Sequence, residues 1–524
     1  MALNSGKRTR KISKKVNLAV LIVLGLIILS LQFYGMFGRT TRMRDFSVTF
    51  EGGYRVFPFH QIPYQDFFIP FGPNLFYTQA FFNFLFGTSA FSIIIHAFVL
   101  AFILSGTFYF IVKKEMNIIL SLIFAVFLYL SFNGLTFYAH YNEDVYFFFL
   151  LNILLLLNYY KKDSLPKYVY LLSALFCFFT FYFKQDLGIL QILFISIYLF
   201  YNYKKEWKLT LFYFAIPFII IFAISYLAFM NIQGFTYWFN LGQPPHESRI
   251  SSFFDPTNIM IVLESWKFYL GLLFIGVLFF KKNSEETKKL LSLFILLAII
   301  TIAINITSGP HRQTSIQAVP IMVFIIYLLI KDYLNKNINQ LIFGFIIVLL
   351  LLVLVDPFPT YGYIALTYLN KDTAWIKNGC YSGVPITKGA LDGVLRIHEI
   401  IDENNKSFVS ITEYSFLYCD YNLNPPKKVP IWWDEGISFF KQNIPELLDA
   451  ITDSNPKIIL YQDPHGHTDP KTNDLFMQGF YSKGYKTIEI INNTSSTVPI
   501  YVLSKDAKNS SISYSKYIRT EGSS

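Results

Sequence analysis

Of the 524 residues, 53% are hydrophobic and only 15% are charged, with 57 Phe and 36 Tyr, whereas a soluble domain carries about a quarter charged residues. This composition excludes an ordinary soluble enzyme and points to a membrane protein. The net charge of +10 does not indicate nucleic-acid binding, because the lysines sit in short clusters between apolar runs and not on one face of a folded domain.

A helix crosses a bilayer with about 17 to 25 mostly apolar residues. By that rule the sequence predicts a polytopic α-helical membrane protein with eleven spans, near 17–37, 90–112, 117–133, 145–160, 167–183, 187–203, 209–230, 262–280, 288–307, 315–331 and 338–355. Residues 1–16 form a basic N-terminus, and "KRTRKISKK" precedes a first run with no small-residue cleavage site, which predicts a retained anchor. Short cytoplasmic loops collect Lys and Arg. "KKEM", "KKDSLPK", "YKKEWK", "KKNSEETKK" and "KDYLNKN" therefore read as inner loops. The first outer loop, 38–89, is the exception, with Arg39, Arg42, Arg44 and Arg55. An odd number of spans then places the whole C-terminal part outside.

After the membrane domain, 17–356, the chain turns polar, and α and β patterns alternate over 357–505. Helical "GALDGVLRIHEIIDENN" and "PELLDAITDSN" intersperse with strand-like "SFVSITE", "KIILYQD", "YKTIEII" and "TVPIYVLS". This predicts a small extracytoplasmic α/β domain. Residues 506–524 read as a loose tail. Cys177, Cys380 and Cys419 lack metal-ligand spacing. Cys380 and Cys419 are either paired, if their domain is extracytoplasmic, or free and buried.

With this topology the outward-facing polar residues form a short set: Asp45, Glu51 and Asp66; His140, Glu143 and Asp144; Lys184, Gln185 and Asp186; His246, Glu247 and Arg249; His311 and Arg312. Loop ends are polar in any membrane protein, but "FYFKQDLGIL" and "SGPHRQTS" are too short to leave the bilayer boundary, where ionisable groups are costly unless used or paired. Acids on one loop facing cations on others suit a reaction in which a base approaches a reacting group while a phosphate leaving group is neutralised. Asp66 is bracketed by Pro63, Pro70 and Gly72-Pro73, and is read either as a site acid or as a turn-capping carboxylate. The following "NLFYTQAFFNFLFG" reads as a helix at the interface. In "PIWWDEG", Trp432 and Trp433 read as membrane-interface anchors, with sugar stacking as the other reading. The loop 231–258 reads equally as a mobile cover or a static interface segment.

The first loop resembles that of the GT-C class of membrane glycosyltransferases, which contains the protein O-mannosyltransferases and the bacterial aminoarabinose transferase of lipid A. Its elements here are Asp45 and, 21 residues on, Asp66 within "PYQDFFIPFGP"; "FYFKQDLGIL" is similar to the family's "KQxxG" segment. The chain departs from the family in having "RDF" where many members have Asp-Glu, with Glu51 six residues later, so the base is Asp45 or Glu51. The resemblance implies an inverting transferase that moves a hexosyl or pentosyl group from a polyprenyl-phosphate donor to a glycan, lipid or protein acceptor at the outer face of the cytoplasmic membrane. It implies Asp45 (or Glu51) as base, Asp66 as second acid, and Lys184 with Arg312 as phosphate cradle, supported by Arg249 and His311. Tyr64, Glu143, Asp144 and Gln185 are expected to contact substrate. No cofactor is required; a divalent cation (Mg or Mn) is compatible with the acids. The competing readings are a transporter or flippase of lipid-linked sugars and a non-catalytic scaffold; the repeats and broken helices common in transporters are not found.

Overall fold

The computed structural model describes residues 14–38, 43–68, 71–133, 141–232, 284–307, 317–331, 373–433, 435, 438–462, 470–492 and 498–506. Among these, helices occupy nine of the eleven expected spans: α1 Lys14–Gly38, α4 Ala90–Val112, α5 Ile118–Asn133, α6 Tyr141–Asn158, α7 Lys167–Phe183, α8 Gln185–Asn202, α9 Lys204–Phe229, α10 Glu285–Thr307 and α11 Val319–Ile330. The spans expected at 262–280 and 338–355 lie outside the described residues. Three of the described helices are long and apolar enough to cross a membrane, namely Lys14–Phe33 of α1, Ala90–Val112 and Lys204–Phe229. They are apolar because in hydrocarbon a helix satisfies its own backbone groups and needs no polar surface. Ile22, Leu26 and Leu29 of α1 and Ile219, Ile224 and Leu227 of α9 are exposed in the protein alone, as lipid-facing side chains are.

The first loop folds into α2 Met43–Val56, β1 Phe67–Phe68 and α3 Asn74–Phe86, the last being the helix expected after Pro73. The α/β part contains β2 Thr373–Trp375, β3 Pro385–Thr387, α12 Lys388–Glu403, β4 Phe408–Ile411, α13 Phe416–Asp420, β5 Val429–Pro430, α14 Ile444–Thr452, β6 Ile458–Gln462, α15 Pro470–Ser482, β7 Lys486–Ile491 and β8 Ile500–Ser504. Its main sheet has the order β4-β6-β8-β7, with β4 and β6 parallel and the others antiparallel. Every residue of β6 and β8 is buried, so these central strands are mostly apolar, with Gln462 and Ser504 at their ends, and carry no polar–apolar alternation. Cys380 and Cys419 form a disulfide.

The two parts have distinct cores that meet at α2. Phe46, Phe50 and Tyr54, at spacing i, i+4, i+8, belong to the core of the α/β part, where the rings of Phe46 and Phe50 stand edge-on to Tyr381 at 4.8 and 4.7 Å. Val48, on another face, belongs to the core of the helical part. At the ends of α4, α6 and α11 distant from the α/β part, Glu115 bonds Lys161 and Lys331. Lys113 bonds Asn17 of α1, and Lys289 donates to the Lys162 carbonyl at 2.6 Å.

Candidate functional site

The first loop is held between the helical part and the α/β part, and its two described acids, Glu51 and Asp66, are held differently. Glu51 and Arg55 lie one turn apart on α2. Arg55 Nε and Nη2 donate to Glu51 Oε1 at 2.9 and 2.6 Å. Arg55 Nη1 donates to Gln61 Oε1 at 3.0 Å and to the Pro426 carbonyl at 2.7 Å, while Gln61 Nε2 donates to Asn424 Oδ1 and the Pro425 carbonyl. Arg55 is 1% exposed, and its planar fork suits this convergence of carboxylate and carbonyl acceptors. Burial pushes the Glu51 carboxyl above its ordinary value, with Arg55 offsetting only part of that cost.

Asp66 is buried at the turn before β1. Its Oδ2 accepts from the Ile62 amide at 2.9 Å, and Lys427 Nζ lies 3.1 Å from Oδ1. The Lys428 amide donates to the Asp66 carbonyl at 2.6 Å, and β1 then pairs in parallel with β5, Phe67 opposite Val429 and Phe68 opposite Pro430. The turn-capping reading of Asp66 is thus realised, together with an ion pair to the α/β part. Tyr64, buried and at φ 68°, donates its hydroxyl to the Phe71 carbonyl, so the hydroxyl works inside the loop. Trp432 stacks on Phe71 at 5.4 Å, and Trp433 packs on Phe439 and Phe476; both rings serve contacts within the protein.

The same loop touches the Lys184 segment. The Gly72 amide donates to the Phe183 carbonyl at 3.0 Å, and a Cβ on Gly72 would lie 1.8 Å from the Tyr182 carbonyl oxygen, so only glycine fits. Lys184 follows directly, extended between α7 and α8, with Asp186 at 3.6 Å and Gln185 opening α8. Loop and cation-bearing turn are therefore fixed to one another by backbone contact.

Asp144 is turned inward. It is fully buried in the first turn of α6, with Oδ1 3.0 Å from His96 Nε2 on α4. Its carboxylate has almost no exposed surface and faces His96 within the protein. Asp45 and Glu143 open α2 and α6, with their side chains outside the described residues. Arg249, His311, Arg312 and the loop 233–258 also lie outside them. Among the described residues no three His, Cys, Asp or Glu converge on one point; the first-loop acids that are described, Glu51 and Asp66, already have Arg55, Ile62 and Lys427 as partners. Sequence reasoning overlooked Arg55, Lys427 and His96. For His96 a signal was present: Gln79 and Asn83, and then Ser92 and His96, are polar pairs at i, i+4 within apolar helices, where polar side chains are expensive.

No family model and no curated protein matches the chain. Among solved structures, ArnT from Cupriavidus metallidurans, bound to undecaprenyl phosphate, matches with a TM-score of 0.52 and 9% identity over 93% of this chain and 97% of that one. The oligosaccharyltransferase AglB from Archaeoglobus fulgidus, in complex with an inhibitory peptide and a dolichol-phosphate, matches at TM-score 0.47 and 13% identity over 90% of this chain and 73% of that one, too weakly to support an argument. The likeness to ArnT shows the fold alone: a bundle of apolar helices followed by a small C-terminal α/β region.

Proposed function

We propose that the protein is a membrane glycosyltransferase that moves a sugar from a polyprenyl-phosphate donor to a glycan, lipid or protein acceptor at the outer face of the cytoplasmic membrane. The observation that carries this reading is the fold shared with ArnT across 93% of the chain. The fixed contact between the first loop and the Lys184 turn supports it. The topology is supported by two features: lysine-bearing turns that meet at the ends of the helices remote from the α/β part, and a disulfide in that part, as in oxidising compartments.

In this reading the acceptor hydroxyl attacks the anomeric carbon, its bond forming as the carbon–oxygen bond to the lipid phosphate breaks, and the electron pair leaves with the phosphate. Asp45 takes the hydroxyl proton. Between the two candidates the geometry favours Asp45, because Glu51 already accepts twice from Arg55. Lys184, with Arg312 and with Arg249 and His311 in support, offsets charge on the leaving phosphate. Asp66 acts by fixing the loop through Ile62 and Lys427. A divalent cation is compatible with this scheme.

The test is release of lipid phosphate by the purified protein from a panel of polyprenyl-phosphate sugars. Release is expected with at least one donor, and Asp45→Asn is expected to reduce it by about a thousandfold or more, within the range for loss of a general base, with the protein still monodisperse. An intact protein that releases nothing with any donor would favour the transporter reading.

A further inference from the structure

The helical part holds a buried polar network that the proposed reaction does not use. Gln79 Nε2 donates to Asn83 Oδ1 at 2.8 Å and to Ser92 Oγ at 3.0 Å, Ser92 Oγ also contacts Asn83 Oδ1 and the Ser89 carbonyl, and Gln79 Oε1 lies 3.0 Å from His96 Nδ1. Phe82 stacks on the imidazole at 4.4 Å. His96 Nε2 then meets Asp144 Oδ1 at 3.0 Å, and Gln79, Asn83, Ser92, His96 and Asp144 are each fully buried. With the amides oriented in this way, Gln79 Oε1 is left to accept from Nδ1–H.

The network reaches both acid-bearing helices of the site. On one side it abuts α2: a Cβ on Gly53 would lie 2.4 Å from Gln79 Cγ and 3.2 Å from Asn83 Nδ2, so α2 rests directly on these two side chains. On the other side it ends at Asp144, in the first turn of α6 and next to Glu143. A purely packing role would be filled more cheaply by apolar side chains of the same volume, and Asn83 Nδ2, His96 Nε2 and both Asp144 oxygens make no hydrogen bond among the described residues, the approach of His96 to Asp144 being one of ion-pair distance only. Incomplete satisfaction of this kind calls for an explanation other than stability.

We propose that His96 is a positioning residue: by standing against Asp144 at ion-pair distance with one ring nitrogen and bonding Gln79 with the other, it sets the start of α6, and with it Glu143, in register with α2 and Asp45. This inference rests on the transferase reading above. Groups misplaced by about 1 Å cost on the order of a hundredfold in rate, so a register device of this type acts on turnover more than on binding.

A double-mutant cycle on donor turnover tests it, using His96→Gln, Glu143→Gln and the double variant, with Lys483→Ala, on the surface of the α/β part beside Asp449, as a remote control. His96→Gln is expected to lower kcat by tenfold or more with a less than threefold change in donor KM. Its effect and that of Glu143→Gln are expected to be non-additive by fivefold or more, while His96→Gln and Lys483→Ala combine additively. Additive effects of His96→Gln and Glu143→Gln in an active protein would overturn the positioning role and leave the transferase reading standing. A wild-type protein silent with every donor would overturn both. If His96→Gln does not yield monodisperse protein, Asp144→Asn, which keeps an acceptor in place of the carboxylate, takes its position in the cycle with the same expected coupling.

Discussion

Glu51 and Asp66 belong to one loop, and each is nearly inaccessible, at 7% exposure, yet they are held in opposite ways. Glu51 is enclosed in an ion pair with a neighbour on its own helix, and Arg55 carries that pair across to the Pro426 carbonyl. Asp66 is bonded to backbone at Ile62, and its charged partner Lys427 is 58% exposed at the side chain. The difference teaches where the energy of docking resides. A charge pair removed from water is costly to break because the remaining group is left buried, whereas a pair with one solvated partner has little to lose.

Three measurements would break or sharpen that contrast. Removing the guanidinium with Arg55→Ala leaves Glu51, Gln61 and the Pro426 carbonyl without their shared donor, and the expected loss is about 3–5 kcal/mol, read as a fall in Tm in detergent and as protease sensitivity of the α/β part. A smaller effect is expected from pH. The Glu51 carboxyl is raised above 4.5 by burial, so its contribution to stability is fully present below pH 4.5 and is lost as pH rises through its folded value. The Tm of the wild type relative to Glu51→Gln is therefore expected to decline as pH rises above 4.5; a gap that is flat or widens in the wild type's favour would refute the assignment. The smallest effect is expected from Lys427→Ala, at most about 1 kcal/mol and reduced further by salt, because Ile62 and the β1–β5 pairing still hold Asp66. A loss as large as that of Arg55→Ala would show that the two acids are not held differently.

Much of this was legible in the sequence where the determining interactions are local. The membrane helices followed from apolar length alone, since a chain in hydrocarbon has to close its own backbone hydrogen bonds. The helix over 388–403 followed from its apolar period, and the strands over 408–411, 458–462, 486–491 and 500–504 from short runs rich in β-branched and aromatic residues. The turn before Phe67 was announced by Pro63 and Asp66. The partners were not legible. Nothing at Asp66 indicates that Lys427 faces it, and the carbonyl reached by Arg55 belongs to Pro426, 371 residues away. His96 was passed over because a single histidine in an apolar span has no periodic signal of its own, and its meaning depends on Gln79 from one helix and Asp144 from another.

The sequence by itself determined that the chain crosses a membrane, that a polar α/β segment follows, and that acids and glycines cluster in the loop after the first apolar helix. Those properties reside in hydropathy, periodicity and turn chemistry, each set within a few residues. Only the tertiary structure decided which acid is enclosed with an arginine and which is capped by backbone, that Gly72 brings this loop against the turn before Lys184, and that Asp144 faces inward to His96. The physical reason is that a carboxylate's role depends on the groups and solvent within a few ångströms of it, and here those neighbours come from parts of the chain that are brought together only by the fold.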